Sequence, residues 1–193
     1  MITFERSFDY ELIRQVMTFS PAIYDKISDD FSPPRDQFRP HEHDSLWYVI
    51  VREGREILGL WMFVPQTSVC WEVHTVLLPC AWGARGMQAA LELPDWIWEH
   101  TTCRRIVTHV PRNNRLALKF AREAQMVEYG VNERSYLKNG VLVDQICLGI
   151  SAPVEEWAGV TSPPEIRHHP DNAPPTRSAP TEISSCDVRL HGV

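Results

Sequence analysis

A carboxylate and an imidazole, Glu72 and His74, lie two residues apart in an apolar stretch of the chain. In a β-strand this spacing places both side chains on one face of the sheet, with Trp71, Val73 and Thr75 on the other. Ionisable groups are costly in apolar surroundings unless they are paired or face a wet cleft. Two interpretations are therefore open: a general base that takes a proton from an amine, or a hydrogen-bonded pair with a structural role.

A glycine-containing loop, residues 82–86, follows the same stretch and precedes a helical pattern. The N-terminus of a helix presents unpaired backbone N–H groups and the positive end of the helix dipole, which together bind anions such as a pyrophosphate. Many loops between a strand and a helix contain glycines for turn geometry alone. The loop by itself does not decide between a pyrophosphate site and a plain turn.

A run of basic residues lies further along the chain, with no acidic residue among them. The run consists of Arg104, Arg105, Arg112, Arg115, Lys119 and Arg122. The last three recur at spacings of four and three and therefore share one face of a helix. A solvated helix face accounts for such a run when it stands alone. Here the run adjoins a strand that is expected to pair with residues 69–78, so two features that favour an anion occupy one region.

No metal centre is predicted. The five cysteines are an odd number without a C-x-x-C pair, which is typical of reduced, structural thiols. His168 and His169 are adjacent but lack further ligands at a suitable spacing. His41 and His43 are expected to be solvated in a loop.

The hydrophobic pattern predicts the elements that position these residues. Strands are expected at 2–8, 46–51, 56–64, 69–78 and 105–110, with two more in 127–151 that turn at Asn139 and Gly140. Helices are expected from the N-cap Asp9 through Ser20, after the loop 80–85, and at 114–124. This order predicts an α/β (α+β) fold with a mixed, mostly antiparallel sheet and helices on both faces. The strands at 69–78 and 105–110 are expected to be parallel neighbours, because a helix connects them.

Composition defines one folded unit and a tail. The chain has 193 residues, of which 44% are hydrophobic and 23% charged, and a net charge of −6, which argues against nucleic acid as a partner. Seven of the 15 prolines follow residue 151, so residues 1–151 are predicted to form the domain and 152–193 a flexible, Pro-rich tail. The apolar stretch 57–64 is too short to span a membrane, and residues 1–7 lack signal-peptide features. A cytoplasmic protein without a membrane partner is therefore expected.

Two segments, "VHTVLLPCAWGARGMQAAL" and above all "RRIVTHVPRNNRLALKFAREAQM", resemble the GCN5-related N-acetyltransferase (GNAT) superfamily. The resemblance covers residues 1–150 and is greatest to the branch of ribosomal-protein N-acetyltransferases and bacteriophage-encoded members. In the family an Asn follows the fifth strand and a small residue comes three positions later, which are here Asn114 and Ala117. The resemblance implies a sheet that splays between its fourth and fifth strands and binds acetyl-coenzyme A there.

The resemblance also implies roles for individual residues. The family's R/Q-x-x-G-x-G/A loop, whose amides hold the pyrophosphate, matches residues 85–90 with Gln88 in place of a glycine. The family's tyrosine acid is replaced by Ala121, with Tyr129 and Tyr136 as alternative acids. The implied base is Glu72 or His74, and the implied cofactor-binding residues are Leu77, Leu78, Arg85, Gly86, Met87, Gln88, Ala89, Ala90, Asn114 and Ala117.

The leading hypothesis is an acetyl-coenzyme A-dependent N-acetyltransferase that acts on an amine of a protein or a small molecule. In the family the helix after Asn114 ends in Gly-Phe, a pair whose places are here taken by Gln125 and Met126. The alternative, favoured by the departures at Gln88, Ala121 and Gln125, is a weak or inactive GNAT-fold protein. It would serve as a bacteriophage virion or interaction component whose tail docks a structural partner. A third hypothesis is a small-molecule or nucleotide-binding module that uses the same cleft. An open gap between the fourth and fifth strands favours the enzyme, whereas a gap filled by Trp71, Trp82 or the tail favours the scaffold.

Overall fold

The computed structural model describes residues 1–153, so the predicted tail, with His168 and His169, lies almost wholly outside the described residues. The strands are β1 (Ile2–Ser7), β2 (Trp47–Glu53), β3 (Glu56–Pro65), β4 (Cys70–Leu77), β5 (Arg105–Pro111), β6 (Val127–Lys138) and β7 (Val141–Ser151). The helices are α1 (Tyr10–Met17), α2 (Pro21–Ile27), α3 (Ala84–His100) and α4 (Arg115–Glu123), and a single 3-10 turn (Pro79–Ala81) precedes α3. Within residues 1–153, no helix has the length and apolar character needed to cross a bilayer.

The first helical region is two helices rather than one. The Asp9 side chain accepts a hydrogen bond from the Leu12 amide, which confirms the predicted N-cap of α1. The prediction of one helix through Ser20 is wrong, because Ser20 is itself the N-cap of α2 and accepts from the Ile23 amide. Pro21 occupies the first position of α2, where its missing N–H costs nothing. The Ser-Pro pair was the sequence signal for this second helix.

The seven strands form one sheet in the order β1-β2-β3-β4-β5-β7-β6. The neighbours pair antiparallel except for β4 and β5, which are parallel. Gly54 (φ 59°) turns the β2–β3 hairpin, and Asn139 (φ 53°) and Gly140 (φ 72°) turn the β6–β7 hairpin. The predicted mixed, mostly antiparallel sheet with one parallel pair is confirmed.

Helices cover both faces of the sheet, as predicted. On one face, α1 buries Ile13 and Val16 against β2 and β3. On the other, α3 buries Ile97 against the aromatic side chains of β3 and β4. Helix α4 lies on the same face as α3 and packs through Leu118 on the β5 residue Val110.

Strands β4 and β5 pair over only three residues and then separate. The pairs are Cys70 with Arg105, Trp71 with Ile106, and Glu72 with Val107. Beyond Glu72, and among the described strands, β4 continues to Leu77 paired with β3 alone, and β5 continues to Pro111 paired with β7 alone. The sheet therefore contains the predicted V-shaped gap, whose vertex lies at Glu72 and Val107.

Candidate active site

A cavity of about 410 Å³ occupies the gap between β4 and β5. Its wall includes Val73 and Thr108, which point to the face covered by α3 and α4, and also His74 and His109, which point to the opposite face. A single cavity that reaches both faces must pass through the sheet where the strands are unpaired. Two molecules can therefore approach from opposite faces and meet inside the gap.

The two entrances of this cavity differ in character. The α3–α4 side is lined by small and apolar side chains, namely Ala90, Leu93, Ala117, Phe120 and Ala121. The α1–α2 side is mixed and includes Met17, Lys26, Ile27, Asp29 and Tyr136. The first entrance suits an extended, largely apolar chain, whereas the second offers polar and charged groups to a compact polar molecule.

Glu72 lies at the vertex of the gap and contacts two imidazoles. Its Oε1 is 2.9 Å from His109 Nδ1 and 3.7 Å from His74 Nε2, and its Oε2 accepts a hydrogen bond of 2.9 Å from Gln66 Nε2. The cavity wall contains both histidines but not Glu72. The predicted pair of Glu72 and His74 is thus a cluster of three ionisable groups with its carboxylate set back from the cavity.

Strand geometry explains how the three groups come together. Glu72 is paired in register with Val107, so the two side chains share a face. His74 and His109 each lie two residues beyond that pair and therefore stand on the same face, one on each wall of the gap. His109 is a functional candidate that the sequence predictions missed. Its position in a strand expected to run beside β4 was the available signal.

The surroundings of His74 favour its neutral form. Desolvation lowers the pKa of His74 below its ordinary value; the Glu72 carboxylate opposes this shift and His109 adds to it. The side chain lines the cavity and is 49% accessible, so water moderates this shift. An imidazole in this state is able to accept a proton at neutral pH.

The N-terminus of α3 offers free backbone donors. Its N-cap is Gly83 (φ 91°), which provides no side-chain cap, and the first helical bond runs from the Met87 amide to the Gly83 carbonyl. The amides of Ala84, Arg85 and Gly86 have no acceptor among residues 1–153. These three N–H groups, at the positive end of a 17-residue helix, can bind an anion.

The side chain of Arg85 does not face this group of amides. It donates to Glu53 Oε2 at 2.7 Å, to Glu56 Oε2 at 2.5 Å and to the Cys80 carbonyl at 3.0 Å. Two carboxylates of the β2–β3 hairpin thus neutralise its charge and fix the start of α3 against the sheet. Arg85 can contribute to anion binding through its backbone N–H.

The other predicted cofactor-binding residues fall into two groups. Ala90, Asn114 and Ala117 line the cavity, and Asn114 also caps α4 by accepting from the Ala117 amide at 3.3 Å. The remaining five lie outside the wall of the cavity: Leu77, Leu78, Met87, Gln88 and Ala89. Of these, Gln88 donates to Glu92, and the Leu77 carbonyl accepts from the Trp82 indole at 3.2 Å.

Of the two predicted alternative acids, one reaches the cavity. Tyr136 lines it, and its hydroxyl donates to the Ser28 carbonyl at 2.6 Å; burial raises the pKa of this phenol. Tyr129 is 51% exposed and lies against the Arg105 guanidinium outside the cavity. Ala121, at the place of the family's tyrosine, lines the cavity.

Much of the predicted basic run is ion-paired. Arg112 pairs with Asp144 at 3.4 Å, Lys119 with Glu123 at 3.7 Å, and Arg122 with Glu128. Arg104 donates to three backbone carbonyls near the end of α3. The run therefore presents less free positive charge beside the cavity than its sequence predicted.

No family model matches the chain, and no curated protein matches it either. Several solved structures do resemble it. A chimera of the Vibrio cholerae spermidine N-acetyltransferase with hSSAT has a TM-score of 0.63 and 16% identity, over 78% of this chain and 95% of that one. The Vibrio cholerae spermidine N-acetyltransferase in complex with CoA and spermine has a TM-score of 0.59 and 17% identity, with the same coverage.

A putative acetyltransferase has a TM-score of 0.62 and 19% identity over 82% of this chain and 86% of that one. At such identities the likeness concerns the fold. Together with the sheet order and the parallel, splayed pair β4–β5, it shows that residues 1–153 have the GNAT fold. The finer resemblance, to the ribosomal-protein and bacteriophage branch, stays a prediction.

Proposed function

We propose that the chain is an acetyl-coenzyme A-dependent N-acetyltransferase that acts on a small-molecule amine. The observation that carries this proposal is the cavity through the sheet, with imidazoles at one entrance and free helix amides near the other. Gly86 lies about one helical turn from Ala90 in the cavity wall. A ligand with an anionic head and an extended chain can therefore occupy both places at once.

The residues present fit coenzyme A. The unpaired amides of Ala84, Arg85 and Gly86 fit a pyrophosphate, and the small side chains on the α3–α4 side leave room for the pantetheine chain. Beyond the last β4–β5 pair, each strand has an edge toward the gap that pairs with no other strand of residues 1–153. Its backbone groups are available to the amides of an extended ligand. Bound acetyl-coenzyme A would supply the acetyl group as a thioester.

The chain's own residues would position the acceptor and remove its proton. An amine attacks through its nitrogen lone pair, so it must be neutral and must lose a proton as the new bond forms. His74 and His109 lie on the α1–α2 side of the gap, opposite the side assigned to the coenzyme. The acceptor is accordingly assigned to the α1–α2 entrance.

The comparisons support a small-molecule acceptor. Two of the similar structures are spermidine N-acetyltransferases, and one of these holds CoA and spermine. The α1–α2 entrance of this chain includes the carboxylate Asp29 and the amine Lys26, which does not single out one amine. Spermidine is therefore the first probe amine rather than the assigned substrate.

The described residues leave the gap open, which favours an enzyme over a scaffold; the third predicted plug, the tail, lies outside them. Trp71 is 5% exposed and packs in the core beside Trp47 and Phe63, and Trp82 is 65% exposed. Neither indole belongs to the wall of the cavity. The predicted docking of a bacteriophage partner by the tail concerns residues that lie outside the described part of the chain.

Calorimetric titration of the full chain with acetyl-coenzyme A tests the proposal. We expect saturable binding with a micromolar Kd, equivalent to about −8 kcal/mol. Release of free thiol should then follow addition of a primary amine from a panel led by spermidine. Absence of binding at millimolar coenzyme would contradict the proposal.

Substitution Gly86→Ala should weaken this binding by about tenfold. A Cβ at Gly86 would lie 2.6 Å from the Ala81 carbonyl oxygen and 2.8 Å from Leu77 Cδ1, so the start of α3 must shift. Gly130→Ala is the matched control, because a Cβ there meets nothing within 4 Å. Unchanged affinity in Gly86→Ala would place the anion elsewhere.

A further inference from the structure

We propose that His109 takes the proton from the acceptor amine and that Glu72 positions His109 instead of acting as the base itself. This inference rests on the proposed function and deepens it by assigning the base. The sequence indicated Glu72 or His74 for this role. The contacts of the three side chains favour the residue on the other strand.

Glu72 has little capacity left for a substrate. Its Oε1 binds His109 Nδ1 and its Oε2 binds Gln66 Nε2, both at 2.9 Å. The carboxylate lies where β4 and β5 are still paired, and it does not reach the wall of the cavity. A general base must come within hydrogen-bond distance of the proton that it removes. The two histidines line the cavity in which the acceptor would lie, whereas Glu72 does not.

The contact with Glu72 fixes the ring of His109. An ionised carboxylate only accepts hydrogen bonds, so the hydrogen in this contact belongs to Nδ1 of His109. The lone pair of the neutral ring is then on Nε2, the ring atom that does not contact Glu72, and the ring lines the cavity. A carboxylate at this distance also stabilises the imidazolium that forms when Nε2 takes a proton. Gln145 donates to the His109 carbonyl at 3.1 Å and holds the backbone at this point.

His74 lacks such a fixed orientation. Its Nε2 is 3.7 Å from Glu72 Oε1, which is too long for a hydrogen bond. Its side chain is 49% accessible, against 18% for His109. His74 can contact the acceptor as a neutral group on the opposite wall of the gap. The oriented base is therefore His109.

In the proposed step, the amine nitrogen forms a bond to the acetyl carbonyl carbon and the carbon–sulfur bond breaks. One of the two hydrogens of the neutral amine stays on the amide product, and the other passes as a proton to His109 Nε2. The leaving thiolate takes up one proton and departs as the thiol. Loss of the proton from His109 to the thiolate or to water restores the neutral ring, so atoms and charges balance.

The neutral form of His109 is the base in this step, and several ionisable groups face its side chain. The ionisable groups around His109 are Glu72 and His74 on β4, Cys147 opposite it on β7, and Lys26, Asp29 and Tyr136 in the same cavity. Among them, Glu72 makes the direct contact. Glu72→Gln removes the charge that favours the hydrogen on Nδ1, so the ring of His109 should lose its fixed orientation.

Nuclear magnetic resonance of the imidazole nitrogens in the full chain, without any ligand, is the first test. We expect the neutral His109 ring to carry its hydrogen on Nδ1, and this preference should weaken in Glu72→Gln, which removes the charge of the carboxylate. A hydrogen on Nε2, or a preference for Nδ1 that Glu72→Gln leaves unchanged, would overturn the proposal. This test needs neither a coenzyme nor a known acceptor.

Kinetics with acetyl-coenzyme A and the best amine of the panel is the second test. His109→Gln should lower kcat by about 10²- to 10⁴-fold with unchanged coenzyme affinity. Glu72→Gln should lower kcat by about tenfold, and His74→Gln should lower kcat by less than Glu72→Gln does. His43→Gln, on an exposed loop residue that hydrogen-bonds Ser45, is the matched control and should be neutral.

The outcomes separate the two proposals. A protein that neither binds acetyl-coenzyme A nor acetylates any amine of the panel contradicts the proposed function. An active protein in which His109→Gln retains kcat within about threefold overturns the assignment of the base and leaves the function standing. A larger loss in Glu72→Gln than in His109→Gln also overturns it, because Glu72 would then be the base. Circular dichroism of each variant separates loss of chemistry from loss of fold.

Discussion

Substitution Thr108→Trp is expected to abolish acetyl-coenzyme A binding while the protein stays folded. Thr108 is the first β5 residue beyond the last β4–β5 pair, and its side chain is partly buried in the wall of the cavity. An indole at this position would occupy the gap that the coenzyme needs, without displacing a core side chain. We expect a loss of affinity of at least about 100-fold, equivalent to about 2.7 kcal/mol.

The matched control for this blocked variant is Thr3→Trp. Thr3 is an exposed threonine on β1, the edge strand of the sheet, away from the gap. Both variants are measured by calorimetric titration with acetyl-coenzyme A and by thermal unfolding. Thr3→Trp should bind like the unsubstituted protein. If Thr108→Trp is folded and binds with undiminished affinity, the coenzyme does not enter the gap between β4 and β5.

The elements of the domain were predictable because their signals are local. Alternation of apolar residues predicted a strand at 69–78, and β4 runs from Cys70 to Leu77. Side-chain capping predicted α1 from Asp9, and Asn139 with Gly140 predicted the last hairpin. Each signal involves residues within a few positions of one another, so the local chain encodes it.

The composition of the site depended on long-range register, which the sequence does not encode locally. Glu72 and His109 were both visible on strands expected to be parallel neighbours. A shift of one residue between these strands would have placed the two side chains on opposite faces of the sheet. The pairing of Glu72 with Val107 brings His109 into contact with the carboxylate. The residue types thus identified candidate site residues, and the pairing of β4 with β5 determined which of them lie in contact.

The same limit applies to the loop before α3. The motif match indicated Arg85 as part of a pyrophosphate site, and the helix start does present free amides there. The partners of the Arg85 side chain, Glu53 and Glu56, come from a hairpin about 30 residues earlier, beyond the reach of a local motif. The arginine consequently has a structural role at the position where the sequence predicted a ligand contact.

Substitution Gly59→Ala should have the largest effect on stability, because Gly59 permits β3 and β4 to approach each other. Gly59 is paired with Leu77 at the end of β4, and a Cβ at Gly59 would lie 2.2 Å from the Val76 carbonyl oxygen. Neither the new Cβ nor the Val76 carbonyl oxygen can move without separating the two strands. We expect the free energy of unfolding in urea to fall by about 3 kcal/mol.

Gly130→Ala, on the edge strand β6, again serves as the control, because its Cβ has open space. There the substitution only reduces the freedom of the unfolded chain, so it should be neutral or stabilise by up to about 1 kcal/mol. Gly59 contacts Val76 and Leu77. These two residues belong to the part of β4 that is unpaired with β5. If Gly59→Ala folds, its displaced β4 should also weaken coenzyme binding. Stability and binding both unchanged in Gly59→Ala would mean that β3 does not hold β4 in place as one wall of the gap.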